Sequence, residues 1–340
     1  MIFKQIAAMS ASTALRGGLA LCAATFCATA VFAGTTSFDV QGASATDPAA
    51  INAKGVIAGV YNDAAYESHG FVRATDGTIT SFDAAGAIAT LPTAISGKGV
   101  IAGTWADSSF TFHGFVRDAS GNVTSIDPSG AIGTWTTGVD DKGTVVGYYM
   151  DSSWVTHGFE RTKDGTITVF DPKLSTFTIA NGIDDKGTIA GYYISSNDGK
   201  YYGFLLSSAG KYKSFGVSNA IVSEANALNK SNATAGVYAD NDGIYHSFAR
   251  DGSGTIATFD PQNAVSSTPT AMNDAGAMAG YYVDGSQVQH GYVRATDGTI
   301  TAFDPKGSIS TAAYGVNNSG VVTGHWTDKN YIDHGFIRTQ

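Results

Sequence analysis

The sequence predicts an all-β fold, a seven-bladed β-propeller of four-stranded blades whose ring is closed by an N-terminal strand completing the last blade. Three observations predict it. One phrase, typified by residues 52–83, returns about every 44 residues to the end of the chain. Each copy divides into four short runs, and the fourth shows the period-2 alternation of half-buried strands. The two ends of the series are complementary. The last copy stops after its third run, at residues 336–340, and an orphan fourth run, residues 35–39, stands near the start. A ring would pair the two, whereas a linear solenoid would leave both ends as exposed sheet edges.

Three landmarks set the period. A Gly ends an apolar run at Gly59, Gly103, Gly147, Gly191, Gly236, Gly280 and Gly324. A His stands at His69, His113, His157, His246, His290 and His334, with Tyr202 in the fourth copy. The fourth run ends in Asp at Asp39, Asp83, Asp127, Asp171, Asp260 and Asp304.

Within a copy, a short apolar piece such as Thr93-Ala94-Ile95 comes first, and the turn Ser96-Gly97-Lys98-Gly99 leads into a second strand over residues 100–105. After a polar loop comes a third strand, Gly114-Phe115-Val116-Arg117. Asp76-Gly77, Asp164-Gly165 and Asp297-Gly298 then read as two-residue hairpin turns, because Asp and Gly tolerate positive φ. Thr78-Ile79-Thr80-Ser81-Phe82 shows the alternation of the fourth strand.

Residues 1–33 read as a secretory signal peptide. Lys4 and Arg16 are its charges, residues 19–31 are apolar, and Val31-Phe32-Ala33 suits cleavage before Gly34. The apolar run is short for a bilayer span, so no membrane span is expected after cleavage. Residues 34–340 then form one propeller domain in the periplasm or outside the cell. Both cysteines, Cys22 and Cys27, fall in the leader, so no disulfide is expected in the remainder. A domain of this size buries enough apolar surface without one. The formal charge is −9, with 29 Asp and Glu against 20 Lys and Arg. An acidic surface disfavours nucleic acid and anionic lipid.

The turn Ile51-Asn52-Ala53-Lys54-Gly55 and the His-Gly-Phe triplets at His69, His113, His157 and His334 resemble the HAF-type extracellular repeat family. The resemblance covers residues 34–340 and implies export and repetition. It brings no catalytic motif, and the Gly within the triplet departs from the family name.

The six repeated His occupy one repeat position and cannot meet on one metal. They are expected to be structural, each bonded to a loop backbone or to an Asp of its own blade. The loop aspartates Asp63, Asp107, Asp151, Asp240, Asp284 and Asp328 form a second series, expected on the same face as the fourth-strand series. Asp240-Asn241-Asp242-Gly243 has part of a calcium loop without its downstream acidic ligand. No nucleophile elbow, zincin motif or phosphate loop is present, and no catalytic residue, metal or cofactor is expected. The phrase D-G-T-I-T-x-F is similar to repeats of propeller lyases, within a generic strand. Trp135, placed in a connection between blades, and Trp154, in the loop before His157, are expected to be partly exposed near Asp107 and Asp151. An indole that stacks on a sugar, with carboxylates bonding its hydroxyls, would make a ligand site. The expected function is an exported, non-enzymatic scaffold binding a carbohydrate or a surface protein. A hydrolase or lyase at the channel mouth and a purely structural envelope protein are the alternatives.

Overall fold

The computed structural model describes residues 34–339, all β with no helix. The proposed leader lies outside the described residues. Strands follow one another in fours, as in Ile101–Ala106, Phe112–Arg117 and Val123–Ile126 after Ala89–Ile95. They form five four-stranded sheets and one of eight, in which the first two repeats are joined by a single parallel bridge, Ser68 to Ala89. Within a repeat the pairing is antiparallel in sequence order. The last repeat, with strands Ser310–Val316, Val322–Thr327 and Asp333–Thr339, takes Gly34–Phe38 as its fourth strand, with Thr36 opposite Ile337.

The first strands run seven to nine residues, longer than the three-residue pieces read from the sequence. All seven carry a bulge at the same place, as between Pro92 and Ala94 or Thr136 and Gly138. The bulge turns one side chain toward the next repeat. Thr93, Thr137, Asn181, Asn226 and Thr270 each donate to a carbonyl of the next first strand, at 2.7–3.2 Å. Repeats 1 and 7 have Ala49 and Tyr314 there. Their junctions use Asn52 Nδ2 to Ser96 O at 3.0 Å and Asn317 Nδ2 to Asn52 O at 3.3 Å. The first strand of the seventh repeat touches that of the first.

The core is one slice per repeat. The third-strand aromatics Phe71, Phe115, Phe159, Phe204, Phe248, Tyr292 and Phe336 are fully buried. Phe115 meets Phe82 of the preceding repeat edge to face at 6.0 Å, a favoured aromatic geometry. Gly59 explains the Gly landmark: a Cβ there would lie 2.4 Å from Asp47 O and 2.8 Å from Phe71 Cε1. The ring packs into the space a side chain would fill.

The Asp-Gly turns are not two-residue loops. Ala74 N bonds Thr78 O at 2.8 Å and Gly77 N bonds Ala74 O at 3.0 Å, which leaves three loop residues with Gly77 left-handed at φ 92°. A type I turn closed by a left-handed residue suits the strand twist as well as the two-residue turn does. The turn between first and second strands is built alike, with Gly55 at φ 84°.

Candidate functional site

The loop between second and third strands uses the same backbone. Asp63 N bonds Glu67 O at 3.0 Å and Tyr66 N bonds Asp63 O at 3.1 Å, so Tyr66 holds the left-handed position, at φ 65°. Phe110, Trp154 and Tyr331 hold it in repeats 2, 3 and 7, at φ 61–65°. A left-handed conformation costs an ordinary L-residue roughly 1–2 kcal/mol. These four aromatics return little of that by burial: Tyr66 is 80% exposed, Phe110 and Trp154 76%, and Tyr331 82%. They belong to four successive repeats, since repeat 7 adjoins repeat 1. Gly199, Gly243 and Gln287 take the place in repeats 4, 5 and 6. Only Trp154 had drawn attention in the sequence, although the series stands three residues after each loop Asp.

Beneath each tip the two Asp series converge on the repeated His. The loop Asp uses Oδ1 to accept two loop amides; for Asp151 these are Ser153 N at 2.8 Å and Val155 N at 2.9 Å. Its Oδ2 faces His Nε2 at 3.4–3.9 Å across the six repeats. His Nδ1 lies 2.7–3.0 Å from the Asp ending the fourth strand, as in His113 with Asp127, His157 with Asp171 and His334 with Asp39. An aromatic of the second strand stacks on the ring, closest for Trp105 on His113 at 4.5 Å. The fourth-strand Asp reaches on to the next repeat, where Thr134 Oγ1 donates to Asp127 Oδ1 at 2.9 Å. In repeat 4, Tyr202 replaces His and donates to Asp198 at 2.8 Å.

These contacts explain the titration. The loop amide four residues on, then the His, hold Asp63, Asp107, Asp151, Asp240, Asp284 and Asp328 below the ordinary carboxylate value. The bond to Asp83 raises His69. For His157, His246 and His290 burial opposes the charge, but their paired Asp outweigh it and the net shift is upward. Asp240-Asn241-Asp242-Gly243 is this same loop, with Asp240 Oδ1 occupied by the amides of Asp242 and Ile244. Asp63, Glu67 and His69 bring donor atoms within 4.8 Å of one another, yet Asp63 Oδ1 is already bound to loop amides.

Trp135 lies within strand Ala131–Val139, not in a connection. It is half-buried, stacked on Tyr148 at 5.3 Å and tilted on Phe112 at 5.7 Å. It sits opposite Tyr148 in the ladder, as Leu91 at the equivalent place in repeat 2 sits opposite Thr104. Trp154 instead projects from the tip above Asp151, its amide on Asp151 O at 2.9 Å. The two indoles make no ring pair among the described residues. Asp107 and Asp151 begin the loops whose tips are Phe110 and Trp154.

Two features belong to single repeats. Glu224, in the first strand of repeat 5, has its carboxyl raised by burial; Tyr192 and Tyr245 are raised first by burial and also by its charge. His325 Nδ1 lies 2.9 Å from Asp47 Oδ1 across the junction of repeats 7 and 1. Burial opposes the His325 charge, and Asp47 outweighs it. The sequence hid this pair, because its members lie near opposite ends of the chain.

Solved structures with similar folds include virginiamycin B lyase from Staphylococcus aureus, at 11% identity and a TM-score of 0.58, with 91% of this chain and all of the other covered. A prolyl endopeptidase matches 84% of this chain at 14% identity and a TM-score of 0.59, and puromycin hydrolase 86% at 11% and 0.56. The chain spans about half the length of these two, 47% and 52%. The likeness shows the fold, a propeller-like assembly of four-stranded sheets. No family model and no curated protein sequence matches the chain.

Proposed function

We propose that this protein is an exported, closed seven-bladed propeller that binds a glycan through its loop-tip aromatics and performs no catalysis. The carrying observation is that Tyr331, Tyr66, Phe110 and Trp154 stand exposed, in a backbone conformation that favours Gly, on four successive repeats. Strain kept at one position is a pointer to function. Exposed aromatic faces stack on sugar rings, and the partly exposed Asp below each tip offers acceptors to hydroxyls. Four weak equivalent sites acting on one extended chain would bind it by avidity.

Closure is supported by the pairing of Gly34–Phe38 with Asp333–Thr339 and by His334 on Asp39 and Trp326 Nε1 on Ser37 Oγ at 2.9 Å. A cavity of about 210 Å³ lined from every repeat, Asn52 through Asn317, fits the mouth of a central channel. Export rests on the composition of residues 1–33, and a mature terminus at Gly34 is its test.

A glycan array followed by calorimetry tests the binding. Trp154→Ala should weaken it with little change in melting temperature. The reading falls if every glycan found to bind does so as well to the variant as to the parent. Deleting residues 35–40 should lower the melting temperature and increase light scattering, and unchanged stability argues against the ring.

A further inference from the structure

Five of the seven junctions between repeats share a clamp. The Arg ending the third strand lays its guanidinium 4.7–4.8 Å from the ring centroid of the Phe ending the previous fourth strand; Arg117 on Phe82 and Arg294 on Phe259 are examples. At each of the two junctions that lack it, a cavity opens. Between repeats 3 and 4, Leu206 stands for Arg, and a cavity of about 520 Å³ borders Phe170 and Leu206. Between repeats 2 and 3, Ile126 stands for Phe, so Arg161 has no ring to lie on. A second cavity of about 520 Å³ borders that Arg.

The two cavities match in size and differ in charge. The one between repeats 3 and 4 has Lys142 and Lys186 against Asp140, Glu160 and Asp171. The one between repeats 2 and 3 has Lys98, Lys142, Arg161 and Lys163 against Asp118 and Asp141. Both of its carboxylates are engaged by the chain itself. Asp118 accepts from the amides of Ser120 and Asn122 and from Asn122 Nδ2, and Asp141 accepts from Lys98 N at 3.0 Å. Among the described residues the Lys and Arg ion pairs are those of Lys230, so these four cations have none, and Arg161 Nη1 donates to Thr162 O at 3.3 Å. Like charges gathered in one groove repel. In a chain of net charge −9, a local excess of cations is the reverse of what composition supplies.

We propose that the cavity between repeats 2 and 3 binds an anionic saccharide, a sugar carrying a carboxylate or a phosphate. Arg161 presents a planar fork matched to either anion, and the three Lys add point charges around it. Val100 and Val116 offer an apolar wall to a sugar face. The volume is that of small-molecule pockets. The turns lining it lie at the strand ends opposite the aromatic tips, so this site does not depend on them.

The test is calorimetry on the purified protein with a hexose phosphate, a uronate disaccharide, a neutral disaccharide and inorganic phosphate. The charged sugars should bind, more weakly as salt rises; the tighter of the two identifies the anion. Lys98→Ala with Lys142→Ala should lower affinity at least about tenfold, the loss of two charge contacts. Ile126→Phe should also weaken binding, because it supplies the ring on which Arg161 would lie. Its melting temperature reports whether it folds, and the surface double variant decides if it does not. Trp154→Ala should leave this binding unchanged, which separates it from the aromatic site. The proposal falls if no charged sugar binds, if the neutral sugar binds equally well, if inorganic phosphate alone binds as tightly as the hexose phosphate, or if the double variant binds like the parent.

Discussion

Hairpin turns at the two ends of the strands share one backbone, outside the longer loop of repeat 4, and differ in their occupants. In the turns at one end of the strands, the left-handed position holds Gly, as at Gly55 and Gly77, and once Asn, at Asn232. In the loop at the other end it holds Tyr66, Phe110, Trp154 or Tyr331. The hydrogen bonds are the same in both, so the turn does not require the aromatic. Where only folding is served, the residue with the least strain stands. Where an aromatic stands instead, the proposed glycan binding would account for the strain.

Replacing all four tips by Gly should break this contrast most. Binding at the tips should be lost, while stability rises by roughly 2–4 kcal/mol: each relieved strain contributes about 1–2 kcal/mol, and each added Gly costs roughly 0.5–1 kcal/mol of chain entropy. Denaturant unfolding beside glycan calorimetry would show the opposed changes, and a less stable variant would mean that the tips serve the fold. His113→Ala attacks the support beneath one tip. With Asp107 and Asp127 losing their shared partner, stability should fall by about 1–3 kcal/mol, and binding per folded molecule should persist. Gly276→Tyr places an aromatic in a Gly turn. No heavy atom lies within 4 Å of the added Cβ and φ is +91°, so the change isolates conformation. The expected loss is roughly 1–2 kcal/mol, with no gain in glycan binding.

The smallest effect is on pH. The folded pKa values of His69, His157, His246 and His290 lie above their unfolded value near 6.5. Their stabilisation is therefore complete below about pH 6.5 and fades as pH rises through the folded values. The loop Asp are shifted down, so their part is present above about pH 4 and fades in stronger acid. Melting should be highest near pH 5–6 and fall slightly by pH 8. Amide exchange corrected for intrinsic rates should loosen first in the aromatic loops over that range, and the Gly turns should not respond. Equal response at both ends would sink the assignment of the effect to these His.

Much of the fold was legible because repetition amplifies weak signals. A four-residue strand such as Ile79–Phe82 is ambiguous alone, but the same alternation at one spacing is not. The site was less legible. Trp135 looked like a connection residue because the first strand read as a three-residue piece, and the ladder begins before that piece. Trp154 looked special as a Trp, although Tyr66, Phe110 and Tyr331 share its place. Exposure and backbone sign, which unite them, are not written in residue type.

The sequence by itself determined the strands, their order and the recurring His, Asp and Gly, since these follow from local alternation and from turns only a few residues long. Tertiary structure alone decided which residues meet across junctions: Asp47 with His325, Asn52 with Asn317, and Arg161 with Lys98 around one cavity. Those contacts depend on how one sheet packs against the next. That packing is set by the buried Phe and by bulges whose effect is felt in a neighbouring repeat, about 44 residues or nearly the whole chain away.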